Sequence, residues 1–154
     1  MYAMTWGNPP KLEPTKPKQS KVIRPEDLAG DSESSQQKAL FAWAALSVGR
    51  YPQLEWLYHT PNGGLRDMRT AVNLKAEGVR SGVPDVFLPW GHNFRYGCYI
   101  EMKIDKYRNH KNGGLSDDQI KWRDYLFSAG YYSAVCYSWT EARDTLIAYL
   151  EGKL

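Results

Sequence analysis

The sequence predicts an α/β fold: a small mixed β-sheet flanked by helices. Three observations carry that prediction. Short runs with a period of two alternate with longer runs at helical spacing. Ser-x-x-Gln at Ser116 and Ser-x-x-Glu at Ser138 open two of the helical runs, while Gly49 and Gly78 close two others. Two strands, around Val86 and Ile100, are joined by one loop that constrains their pairing. The resulting order is helix, strand, short helix, strand, strand, helix, strand, helix, which describes one sheet covered by helices.

Taken in order, residues 1–30 hold Pro9, Pro10, Pro14, Pro17 and Pro25 with little periodicity. Lys11, Lys16, Lys18, Lys21 and Arg24 outnumber Glu13, Glu26 and Asp27 there. This composition predicts an extended or disordered basic arm ahead of a single domain over residues 31–154. A helix follows from Ser32 to Val48, capped by Ser32, with Ala39, Leu40 and Trp43 along one face. Glu33 lies in its first turn, where the macrodipole favours an acid. Leu54 to His59 reads as a strand, and Pro61-Asn62-Gly63-Gly64 as a turn. Met68 to Glu77 reads as a short helix with Ala71 and Leu74 inward.

Val86-Phe87-Leu88 is a short strand, Pro89 to Gly97 a loop, and Cys98 to Ile104 a second strand. Lys106 to Leu115 is a polar, Gly-rich loop. Ser116 to Ala129 is a helix with Trp122, Leu126 and Ala129 on one stripe; Ser116 and Gln119 form a capping box, a structural reason for Gln119. Tyr132 to Tyr137 is a strand, and a last helix runs through Leu150 with Ala142, Leu146 and Tyr149 inward.

The chemistry concentrates in residues 82–103. Gly82-Val83-Pro84-Asp85 is followed sixteen positions later by Glu101-Met102-Lys103. Alternation along Cys98 to Ile104 puts Tyr99, Glu101 and Lys103 on one face, with Glu101 and Lys103 about 7 Å apart along the strand. If the two strands form a hairpin centred on Asn93, Asp85 lies opposite Glu101, with Cβ atoms roughly 4.5–5.5 Å apart. Two carboxylates that close repel unless a cation lies between them or one is protonated. Hard carboxylate oxygens suit Mg²⁺ or Mn²⁺, and a lysine adds fixed positive charge where a phosphate or attacking water would sit.

Composition narrows the function classes. Apolar residues make up 42% and charged residues 24%, as expected of a globular chain rather than a disordered one. The net charge of +3 permits nucleic-acid binding without requiring it. Lys106, Arg108 and Lys111 gather beside the candidate site, either as a solvated surface loop or as DNA contacts. Trp90 to Tyr96 reads either as a plain hairpin tip or as aromatics placed to stack on a nucleic acid. Cys98 and Cys136, both in strands, predict reduced, buried thiols, and with His59, His92 and His110 they show no zinc-ligand spacing. No apolar run approaches a membrane span and no secretory signal is evident, so a cytoplasmic, intracellular protein is expected.

The chain resembles the virus-type replication-repair nuclease (VRR-NUC) family within the PD-(D/E)xK superfamily. The matching residues are Glu33 with Gln36 and Gln37, His59-Thr60-Pro61-Asn62-Gly63-Gly64, and Lys75 to Asp85. They continue with Tyr99-Ile100-Glu101-Met102-Lys103, Leu115-Ser116-x-x-Gln119-x-x-Trp122, and Gly130-Tyr131. The resemblance implies a restriction-endonuclease-like core. It implies Asp85, Glu101 and the Met102 backbone carbonyl as ligands for Mg²⁺ or Mn²⁺. Lys103 would hold or help deprotonate the attacking water and steady the scissile phosphate. Glu33 would complete the acidic cluster through water or a second ion, and Gln119 would orient Lys103 or the water. Lys75, Arg66 and Arg80 would contact DNA phosphates. Stand-alone members of this kind are often phage-encoded and resemble structure-selective nucleases that resolve branched DNA such as Holliday junctions, for which a homodimer is the expected state. A nonspecific or flap-directed nuclease, and an inactive DNA-binding module, are the alternatives.

Overall fold

The computed structural model describes residues 22–61 and 68–154, with the side chains of residues 68–71 left undescribed. One four-stranded sheet has the order β1-β2-β3-β4: β1 is Tyr58–His59, β2 Val86–Leu88, β3 Cys98–Met102 and β4 Tyr132–Cys136. The first three strands are antiparallel, and β4 joins β3 in parallel, so the sheet is mixed as the sequence predicts. Among the described residues five α-helices accompany it: α1 (Pro25–Leu28), α2 (Glu33–Ser47), α3 (Met68–Ala76), α4 (Asp117–Ser128) and α5 (Trp139–Leu150). A parallel neighbour needs a crossover, and α4 supplies it between β3 and β4.

The β2–β3 register is the one inferred from sequence: Val86 faces Ile100, Phe87 faces Tyr99 and Leu88 faces Cys98. The tip differs in detail. Asn93 and Phe94 both take positive φ, 47° and 62°, and His92 pairs with Arg95. That places the turn between Asn93 and Phe94, and three residues on one arm face two on the other. The extra residue is taken up as a bulge between tip and strands.

One sheet face is apolar. Val86, Leu88, Cys98, Ile100 and Met102 pack with Ala39, Leu40 and Ala44 of α2 and Ala142, Leu146 and Tyr149 of α5. α2 begins at Ser32, whose hydroxyl accepts the Ser35 N–H while Ser35 answers the Ser32 N–H. Gln36 joins the two helices: its Oε1 accepts the Trp139 N–H at 2.8 Å, at the start of α5.

Two expectations need correction. Leu54 to His59 is not one strand: Pro52–Trp56 forms a 3₁₀ turn and only Tyr58–His59 pairs. Proline at the first position fixes φ and gives up no needed donor. Leu54 and Leu57, three apart, then both point into the core, while Trp56 stays exposed. The arm also does not extend unstructured to residue 30. Pro25 opens the short helix α1 and is buried, and Leu28 and Ala29 pack on the core. The rest of the arm, residues 1–21, lies outside the described residues, as do Arg66 and most of the Pro61–Gly64 turn.

Candidate active site

The opposite sheet face carries Asp85 and Phe87 from β2 and its lead-in, and Tyr99 and Glu101 from β3. Continuing the β1–β2 register puts Thr60 beside Asp85, so Thr60, Asp85 and Glu101 form one row across three strands. The Asp85 carboxylate is oriented by the Met102 N–H, which donates to its Oδ2 at 2.8 Å. Its backbone carbonyl accepts two donors, the Thr60 N–H at 2.8 Å and Nδ1 of His59 at 2.8 Å. A carbonyl only accepts, so this contact places the His59 proton on Nδ1.

Glu101 is 4% exposed and Lys103 7%. The Lys103 amine donates to Glu101 Oε1 at 2.9 Å and lies 3.7 Å from Glu33 at the start of α2. Gln119 donates its side-chain N–H to the same Glu101 oxygen, while its own Oε1 accepts the Ser116 N–H in the capping box. The helix cap and the site contact are therefore made by one side chain. Among the described residues, Glu101 Oε2 is buried with no hydrogen-bond partner, and so is the hydroxyl of Thr60.

Charge explains the protonation balance. Burial raises Asp85 above the usual carboxylate range against the pull of the Met102 N–H and Lys103. Burial, then the Asp85 charge, pushes Glu101 up to about 7 in spite of Lys103. Burial works to lower Lys103, but the hydrogen bond to Glu101 and the charges of Glu101, Glu33 and Asp85 leave it raised. One ammonium thus faces three acids, and the site is short of positive charge.

The Gly82 turn holds the two halves of the site together. Gly82 has φ +83°, and a Cβ there would fall 2.5 Å from the Asp118 backbone. Trp122 Nε1 donates to the Ser81 carbonyl at 2.9 Å. The chain leading into Asp85 therefore lies flat against the first turns of α4, which carries Gln119.

A divalent cation fits this donor set. The oxygens are hard, two carboxyls are desolvated and repel each other, and an acceptor lone pair on Glu101 is left buried and orphaned. Among the described residues no cluster of three or more His, Cys, Asp or Glu side chains is arranged for a metal, so the two acids would share the ion with water or main-chain oxygens.

The structure brings together Asp85, Glu101, Lys103, Glu33 and Gln119. Of the predicted DNA contacts, Lys75, Arg80, Lys106 and Lys111 are exposed. Arg108 is paired with Asp105 and Glu141 and stacks over Tyr137, so its charge is largely committed within the chain. Sequence reasoning missed His59 and Thr60 as members of the site. The β1–β2 register would have revealed Thr60, but the strand assigned there was too long to fix it.

Fold and site define a class: an α/β protein with paired acids and a buried lysine on one sheet face. The VRR-NUC domain model matches residues 30–139. A solved structure described as a VRR_NUC domain protein superposes with a TM-score of 0.65 at 20% identity, covering 80% of this chain and 91% of that one. Comparison with curated proteins gives no match. The chain belongs to the VRR-NUC domain family, a nuclease family, and its fold is that of an α/β nuclease consistent with the PD-(D/E)xK superfamily.

Proposed function

We propose that this protein is a Mg²⁺- or Mn²⁺-dependent DNA endonuclease that cuts branched DNA, such as Holliday junctions, as a homodimer. The observation that carries the reading is the row of Asp85 and Glu101, with one Glu101 oxygen buried and, among the described residues, unpartnered beside a buried Lys103.

Asp85, Glu101 and the Met102 carbonyl would hold the ion, with Glu33 reaching it through water or a second ion. When bound, the ion lowers the pKa of water and neutralises charge building on the phosphorus. The residues themselves do the rest. The Met102 N–H fixes the Asp85 carboxylate. Gln119 fixes Glu101 and, through it, Lys103. Lys103, held in its charged form, would donate to the attacking water or to a phosphate oxygen. Lys75, Arg66, Arg80, Lys106 and Lys111 would add diffuse attraction to the DNA backbone, with Arg108 contributing least. Cutting a junction symmetrically needs two sites, which a two-fold dimer supplies.

The test is cleavage of labelled four-way junction, splayed arm, 5′-flap and plain duplex in Mg²⁺, Mn²⁺ or EDTA, with sedimentation of the same preparation. Paired, metal-dependent cuts near the junction by a dimer are expected. No cut on any substrate in either metal would defeat the nuclease reading; cuts without branch preference by a monomer would defeat only the branched-DNA part.

A further inference from the structure

The acid row occupies only one end of its sheet face. Two residues further along each strand, the face becomes aromatic. Phe87 and Tyr99 stack at 4.1 Å with an interplanar angle of 20°. Tyr58 meets the edge of Phe87 at 5.6 Å, and Tyr131 meets both Tyr99 at 5.5 Å and Phe87 at 6.0 Å. Tyr96 extends the run, 5.9 Å from Tyr131. The run follows the register: Tyr58 faces Phe87 and Phe87 faces Tyr99, each beside the Thr60–Asp85–Glu101 row.

The backbone is shaped to seat these rings. A Cβ at Gly97 would fall 2.6 Å from the Phe87 ring, and one at Gly130 would fall 2.9 Å from Tyr96. Bare main chain at those two places lets the rings lie low on the sheet. The rings are nevertheless not a closed core. Tyr58 is 49% exposed and Tyr96 70%, and Phe87, Tyr99 and Tyr131 are half-buried. No hydrogen bond engages the hydroxyls of Tyr58, Tyr96, Tyr99 or Tyr131 among the described residues. Among the described residues the surface is thus built and open, and its phenols are unspent. Of the nearby cations, Lys103 at the acid end is ion-paired with Glu101 and Glu33, and Arg95, next to Tyr96 in the chain, stacks over Phe127.

We propose that this aromatic face binds unpaired nucleobases of the strand being cut, so that the scissile phosphate lies next to a single-stranded segment. The proposal rests on the nuclease reading for its direction, because the platform adjoins the acids on the same strands. The step from Tyr99 to Glu101 is about 7 Å, short enough for one chain to present a base to the platform and its phosphate to Glu101 and Lys103. Stacking on aromatics with flanking cations is how sequence-independent single-strand binding is built, since every base has a π-face. A protein partner would need no continuity with the acid row.

The experiment uses the full chain in EDTA, so that binding is read apart from cleavage. Fluorescein-labelled oligothymidine and a blunt hairpin duplex are titrated by anisotropy against wild type, Tyr58→Ala/Tyr96→Ala and Tyr58→Phe/Tyr96→Phe. The alanine pair should bind the single strand about tenfold more weakly, the duplex should change less than about twofold, and the phenylalanine pair should bind as wild type. Thermal unfolding of each variant confirms an intact fold, since both rings are largely outside the core. Unchanged single-strand binding by the alanine pair overturns the proposal, and with metal-dependent cleavage retained it leaves the nuclease reading standing. Equal loss on single strand and duplex also overturns it. So does a change in sedimentation without a change in binding, which would mark the face as a contact between copies. If wild type cuts nothing yet shows the ring-dependent preference, the platform stands and the nuclease reading falls.

Discussion

The two faces of the β2–β3 hairpin are made from alternate residues of the same strands, yet they are stabilised in opposite ways. On one face Val86, Leu88, Ile100 and Met102 are fully buried and matched by helix side chains. On the other, Asp85 and Glu101 are desolvated and mutually repelled, and one Glu101 oxygen is left without a partner among the described residues. The first face makes the fold; the second draws on it. A stable hairpin can hold acids in positions they would not choose, because the packing behind them over-determines the backbone.

Substitutions should separate the two faces. The largest effect belongs to the polar one: Asp85→Ala or Glu101→Gln should lower cleavage on the order of a thousandfold while leaving the unfolding midpoint near or above wild type. On the apolar face Ile100→Ala should cost about 2–5 kcal/mol in denaturant unfolding, with cleavage per folded molecule nearly unchanged. A reversal of those two outcomes would erase the contrast. Gly82→Ala should affect both readouts, since its positive φ and its contact with the Asp118 backbone forbid a Cβ. About 1–3 kcal/mol of stability should go with it, and cleavage should fall as Asp85 and Gln119 separate.

The pH dependence sharpens the same point. Glu101 binds its proton more tightly folded than unfolded, because burial and Asp85 raise it to about 7. The folded state therefore holds more protons than the unfolded state between the ordinary carboxylate range and pH 7, and stability falls as pH rises through that window. Without divalent ions, thermal unfolding should show this decline, and Glu101→Gln should flatten it. An unchanged slope in the variant would mean that Glu101 is not the strained acid.

The smallest effect separates two roles of one side chain. Gln119→Ala and Ser116→Ala both remove the α4 capping box, at about 1 kcal/mol each. Only Gln119 also contacts Glu101. Cleavage should fall about tenfold for Gln119→Ala and stay near wild type for Ser116→Ala. Equal losses would reduce Gln119 to a cap.

Much of this was legible in the sequence, for physical reasons. The β2–β3 register followed from strict alternation in two short strands whose apolar sets must share one face. Helix starts at Ser32, Ser116 and Ser138 were legible because their caps are local. What lay hidden depends on longer-range contact. Leu54, Trp56 and Tyr58 alternate like a strand, but Pro52 and core contacts at Leu54 and Leu57 impose a turn. Arm composition concealed α1, whose single turn is held by packing on α2 rather than by propensity. Arg108 reads as a free basic residue until Glu141, thirty-three positions away, is seen beside it. The Thr60–Asp85–Glu101 row and the aromatic face appear only once three strands are in register.

The most direct measurement of the central claim is thermal unfolding at pH 8 with Mn²⁺ or EDTA, for wild type and Glu101→Gln. If Asp85 and Glu101 form a cation site, Mn²⁺ at about a hundredfold excess over its dissociation constant should stabilise wild type by about 2.7 kcal/mol, a shift of several degrees. Glu101→Gln should be more stable than wild type in EDTA and gain little from Mn²⁺. An equal Mn²⁺ shift in both proteins, or none in wild type, would contradict the account.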